Sequence, residues 1–134
     1  MRISDLPFNK HIGIQDHNGV VTIHVKDLHM NHLGTVHATA IYGVAEAGSG
    51  QFIIENFGDE FPDALAVARI GTVKYKSAAR EDILAEVTNS EPDPHQALDR
   101  LRQKGAAKIA VEVSVHSNNE IVAIATFDWF IKNG

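Results

Sequence analysis

Residues 29 to 54, HMNHLGTVHATAIYGVAEAGSGQFII, hold three side chains that can orient a carbonyl or move a proton: Asn31, His37 and Glu46. Asn31 offers both donor and acceptor, and a histidine titrates near neutral pH. Glu46 is the only charged residue of the segment if histidines are neutral. The segment reads as a loop ending at Gly34, then a helix from about Val36 to Ile53. Ala38, Ala40, Gly43, Ala45, Ala47, Gly48, Ser49 and Gly50 make that helix small-sided. An exposed helix normally carries a charged face; this one is expected to be buried on most sides. Glycine inside a helix costs about 1 kcal/mol against alanine, so its glycines point to close packing or function. A carboxylate there has two readings: a structural Glu bonded to neighbouring groups, or an acid/base whose pKa burial sets. The rarity of buried unpaired Glu favours the second.

The flanking sequence must position these groups. Residues 4 to 11 read as a short helical turn with Ser4 or Asp5 as N-cap and Pro7 in its first turn. Residues 12 to 27 read as a hairpin, because Asn18-Gly19 is a two-residue turn signal and Val21, Ile23 and Val25 alternate with polar residues. Residues 55 to 64, with their acids, Gly and Pro, read as loop. Four strands are expected after it: 65 to 76, with Leu65, Val67, Val73 and Tyr75 on one face; 82 to 89; 107 to 116; and 120 to 131. The last is apolar on both faces, hence central or at an interface. Ser117-Asn118-Asn119 is a tight turn, pairing the last two strands antiparallel. Residues 93 to 104 form an amphipathic helix with Asp93 as N-cap, Pro94 at the first position and Gly105 ending it.

The 134 residues are expected to form one domain, 44% hydrophobic and 22% charged, with net charge −5. This acidity argues against nucleic-acid binding. The chain has no cysteine, which excludes disulfides, a thiolate nucleophile and Cys-ligated zinc. The segment 29 to 54 is too weakly apolar for a membrane helix, and MRISDLPFNKHIG has no apolar signal core, so a cytoplasmic location is expected. His24, His29, His32 and His37 have spacings of five, three and five across strand, loop and helix, which fix no ligand geometry. Neither a metal nor another cofactor is expected.

Asn31, Gly34, His37 and Glu46 match the N-x-x-G-x-x-H-G-G signature, with its acid nine residues after the His, of hotdog-fold thioesterases of the phenylacetyl-CoA thioesterase and acyl-CoA thioesterase 13 type. Tyr75 to Ile83 resembles that family's Y-x-x-P-A-x-x-G-D-I/L segment. Two departures stand out. Ala38 and Thr39 replace the Gly-Gly, and Glu46 replaces the commoner Asp. The resemblance implies an α+β hotdog fold: a curved antiparallel sheet of about six strands around a central helix, here with an inserted helix at about 93–104. It implies thioester hydrolysis on acyl-CoA or an acyl carrier by a homodimer, which the family also stacks into a dimer of dimers.

The spacing constrains that chemistry. Nine residues of helix rise about 13.5 Å and end half a turn away. His37 and Glu46 of one chain therefore cannot meet on one carbonyl, and two antiparallel helices of a two-fold dimer would bring them together. In this scheme free amides around His37 and Ala38, beyond Gly34, polarise the thioester oxygen. His37 or Asn31 orients the thioester or the water, and Glu46 acts as general base or nucleophile. Arg80, Lys74 and Lys76 are candidates for the coenzyme A phosphates, or an ordinary charged turn. Tyr42, Phe52, Phe57, Phe61 and Trp129 either line an acyl tunnel or fill the core.

Two rival readings remain. Hotdog-fold dehydratases pair a His and a Glu at a spacing of 14, which fits His32 and Glu46, but their G-H-F-P segment and later P-G are absent. A non-catalytic acyl binder would keep an apolar pocket and tolerate loss of Glu46.

Overall fold

The computed structural model describes residues Met1–Gly134. A 3-10 turn at Ile3–Asp5 leads into helix α1 (Pro7–His11). Pro7 stands at its start, but the N-cap is Leu6, with no side-chain cap bond. Ser4 and Asp5 belong to the preceding turn and cap nothing. Strands β1 (Ile14–His17) and β2 (Val20–Ile23) form the expected hairpin. Asn18 and Gly19 both take positive φ, 55° and 85°, the backbone that a two-residue turn between twisted strands demands.

The central helix α2 runs Ala38–Phe57. It starts two residues later than the sequence suggests, because His37 is its N-cap. It also ends a turn later, so Glu55, Asn56 and Phe57 are helical rather than loop. Phe57 explains the extension: its side chain is buried in the core, and one more turn places it there. Glycines serve close packing as expected. A Cβ on Gly48 would lie 2.6 Å from that of Ala85, and one on Gly50 would lie 2.8 Å from the Ile3 side chain.

After α2 come β3 (Leu65–Tyr75), β4 (Ile83–Glu91), helix α3 (Pro94–Lys104), β5 (Ala106–Ser117) and β6 (Glu120–Lys132). The sheet is antiparallel, in the order β1-β2-β4-β5-β6-β3. Asn118 and Asn119, both at positive φ, make the β5–β6 turn. Asp93 caps α3 by accepting a bond from His95 N–H, and Gly105 closes it at φ 75°. Apolar residues Ile109, Val111, Val113, Val115, Ala123, Ala125 and Phe127 cover the concave face and bury α2. One expected alternation fails. A bulge in β3 between Ala68 and Ile70 shifts the register and moves the odd-numbered side chains to the other face. Leu65 and Val67 thus face outward, whereas Val73 and Tyr75 face α2. No helix is long and apolar enough to cross a membrane.

Candidate active site

The loop before α2 is built by Asn31. Its Oδ1 accepts bonds from Leu33 N–H (2.9 Å) and Thr35 N–H (3.1 Å), and its Nδ2 donates to Thr35 Oγ1 (2.8 Å). Gly34 turns this loop at φ 73°, a left-handed conformation that glycine adopts without penalty. Val36 N–H then donates to Ala79 O, which ties the loop to the β3–β4 connection. Asn31 has therefore spent its acceptor on the loop, and one Nδ2 hydrogen is left to face outward.

His37 caps α2 with its ring: Nδ1 accepts from Thr39 N–H at 2.9 Å. An accepting Nδ1 carries no proton, so neutral His37 holds its proton on Nε2, where it is an outward-facing donor. The amides of the first turn divide unequally. His37 N–H donates to His29 O, and Ala40 and Ile41 donate to His37 O. Ala38 N–H alone makes no bond within the chain, and it stands at the positive end of a 20-residue helix. Replacing Gly-Gly by Ala38-Thr39 leaves this amide available.

Tyr75, at the end of β3, donates its hydroxyl to Ala38 O at 3.2 Å. Its pKa is raised, first by burial and second by the neighbouring Tyr42. Tyr42 stands one turn after Ala38. Its ring meets Phe127 edge-on at 5.4 Å, and its hydroxyl lies directly over Gly71, where no Cβ would fit. Tyr42 was expected from sequence either to line an acyl tunnel or to fill the core; Tyr75 had no role assigned, and its place within the matched segment was the one available signal.

Glu46 corrects an expectation. It is not a buried carboxylate: its side chain is exposed, although its neighbours Val44, Ala45, Ala47 and Gly48 are buried. Thr39 and Glu46 lie within about 20° of each other around the axis, on the side of α2 that the sheet leaves open. Surrounding protein nevertheless desolvates the carboxyl and raises its pKa. The structure does not bring Glu46 to His37, Ala38 or His32 of the same chain.

Lys74, Lys76 and Arg80 are exposed and free of ion pairs. Lys76 follows Tyr75, which bonds Ala38 O, and Arg80 follows Ala79, which accepts from Val36 N–H just before α2. Arg80 also borders a groove of about 680 Å³ on the outer sheet face. Glu81, Asp82 and Glu86 share that groove, so its charge disfavours phosphates. Of the four clustered histidines, His29 is buried and structural. Its Nδ1 accepts from Lys26 N–H and its Nε2 donates to Ile12 O at 2.6 Å. Phe57 belongs to the core, and Trp129 donates to Ser49 Oγ at 3.0 Å.

Six antiparallel strands wrapped around one long helix define the hotdog fold, which is the fold the sequence resemblance implies. The chain belongs to the family described as a domain of unknown function, DUF4442, whose model matches residues 11–131. Comparison of the sequence with curated proteins finds no match. Among solved structures, it resembles the Pseudomonas aeruginosa protein PA5026, described as a probable thioesterase, at TM-score 0.84 and 16% identity, covering 98% of this chain and 91% of that one. It resembles BH2602 of Bacillus halodurans, solved with CoA, at TM-score 0.70 and 20% identity, over 90% and 72% of the two chains. It also resembles a mutant of the phenylacetic acid degradation protein PaaI of Thermus thermophilus, at TM-score 0.61 and 21% identity, over 92% and 97%.

Proposed function

We propose that this protein is an acyl-CoA thioesterase acting as a homodimer. The observation that carries the reading is the free Ala38 amide at the capped N-terminus of α2, on the same open side of the helix as Glu46. A thioester oxygen accepting from Ala38 N–H gains the stabilisation of a positive helix end as negative charge develops on it. The Nε2–H of His37 supplies a second outward donor, or orients the water. Glu46 of the partner subunit takes a proton from water as it attacks, or attacks the carbonyl itself. Either route releases the free acid and the thiol. A raised pKa makes Glu46 a stronger base than an ordinary glutamate.

The dimer is supported by the sheet edge. β3 bonds β6 on one side only, and its Leu65, Val67 and Ile70 are all more than half exposed. A long apolar edge strand invites pairing. Joining two copies through β3 extends one sheet and sets the two α2 helices antiparallel across it. Fourfold assembly by stacking such dimers is an extension of the same reading. PA5026 and the CoA-bound BH2602 agree with this reading in name and ligand. Coenzyme A phosphates would meet Lys76 and Arg80 at the β3–β4 connection beside the helix N-terminus, whereas Lys74 stands on the face of β3 turned away from α2.

The test is thiol release from short, medium, long and aromatic acyl-CoAs by wild type and Glu46→Gln. Loss of about 100-fold or more in the variant is the size expected of a missing acid/base. Equal background rates from both proteins on every thioester would reject hydrolysis, and crotonyl-type hydration and acyl binding would then be measured.

A further inference from the structure

The proposed site fixes where the two helices cross. Residues 38 and 46 are symmetric about position 42. Antiparallel helices that set Ala38 opposite the partner subunit's Glu46 therefore set Tyr42 opposite its own copy. The sheet gives the same answer independently. Two whole β3 strands paired about a two-fold axis have that axis at their middle, and the middle of Leu65–Tyr75 is Ile70. Tyr42 leans over Gly71, the very next residue, and the absence of a side chain there is what admits its hydroxyl. Helix register and strand symmetry converge on one spot.

Resting on the thioesterase reading, we infer that Tyr42 lies at the two-fold axis and serves both sites as the wall on which the acyl group ends. Phe127 behind the ring and Gly71 beneath it hold this wall in place. Ala38 and Tyr42 are one turn apart, about 6 Å along the helix. The thiol end of the substrate leaves toward Lys76, so the acyl end points toward Tyr42 and has room for only a few carbons. The preferred substrates are short acyl thioesters.

The chain has no cysteine, which makes the position directly testable. Tyr42→Cys and Ile70→Cys, the latter at an exposed site that tolerates exchange, are each expected to form a disulfide dimer under mild oxidation. Thr39→Cys is expected not to, since it would lie about 9 Å from its copy along the axis alone, beyond the reach of about 7 Å between Cα atoms. Wild type should prefer butyryl- over octanoyl-CoA by at least tenfold in kcat/KM, Tyr42→Phe should keep that preference, and Tyr42→Ala should erase it. Cross-linking at 39 but at neither 42 nor 70, or an unchanged preference in Tyr42→Ala, would overturn the inference. If wild type hydrolyses no acyl-CoA, the thioesterase reading fails and the acyl wall with it, while cross-links at 42 and 70 would still place the axis.

Discussion

Glu46 reaches solvent, yet the protein around it raises its pKa by desolvation. Two consequences follow from that one shift. A base must be ionised, so kcat is expected to rise with pH through a value above the usual 4.5 for glutamate; Glu46→Gln should remove that limb. For stability, a raised folded pKa means that the fold favours the protonated form. The associated stability is complete below the unfolded pKa and declines as pH rises through the folded one. Above the folded pKa the ionised Glu46 opposes folding, and Glu46→Gln is expected to be inactive but no less stable in chemical denaturation. Asn31 acts differently, through three bonds that shape the loop before α2. Asn31→Ala is expected to cost about 1–3 kcal/mol, the range for stranding hydrogen-bonding groups, and to lower kcat more than it raises KM. Calorimetry and steady-state kinetics read the two effects separately.

At the scale of the elements, helix α2 is held by close contacts that only glycine permits. Gly71→Ala would drive a Cβ into the Tyr42 hydroxyl and the Phe127 ring. Overpacking of this kind costs about 1–3 kcal/mol, and a lowered Tm with a widened acyl preference is the expected result. Asp93→Ala removes the cap of α3 for about 1 kcal/mol, and because α3 lies away from Ala38 and Glu46 it should leave thiol release unchanged. The elements were legible in the sequence where local chemistry decides them. Asn18-Gly19, Asn118-Asn119, Asp93-Pro94 and Gly105 each impose a backbone that few neighbours can override. The sequence misled where tertiary contact decides. The bulge near Arg69 turned half of β3 to the other face, and burial of Phe57 drew α2 past its apparent end. Glu46 was conspicuous because it stands alone among small residues. Its exposure was not foreseeable, because the side of α2 left open depends on how far the sheet wraps. Tyr42 looked like core, since nothing in its neighbours announces Gly71 across the gap.

For the whole molecule, the open side of α2 and the unpaired β3 edge together define a surface that one chain leaves incomplete. The amide and the carboxylate that the proposed reaction needs lie about 12 Å apart along one helix, at 1.5 Å per residue. The central claim is that each site takes Ala38 and His37 from one chain and Glu46 from the other. Co-expression of His37→Ala with Glu46→Gln tests it most directly. Each variant alone carries one defect in both sites of its dimer and is expected to be nearly inactive. In a mixed dimer both defects fall in one site, and the other site is intact. Random assembly then predicts recovery of about a quarter of wild-type thiol release, since half the dimers are mixed and each has one working site of two. No recovery above the separate variants, with mixed dimers shown to form, would contradict a site shared between chains.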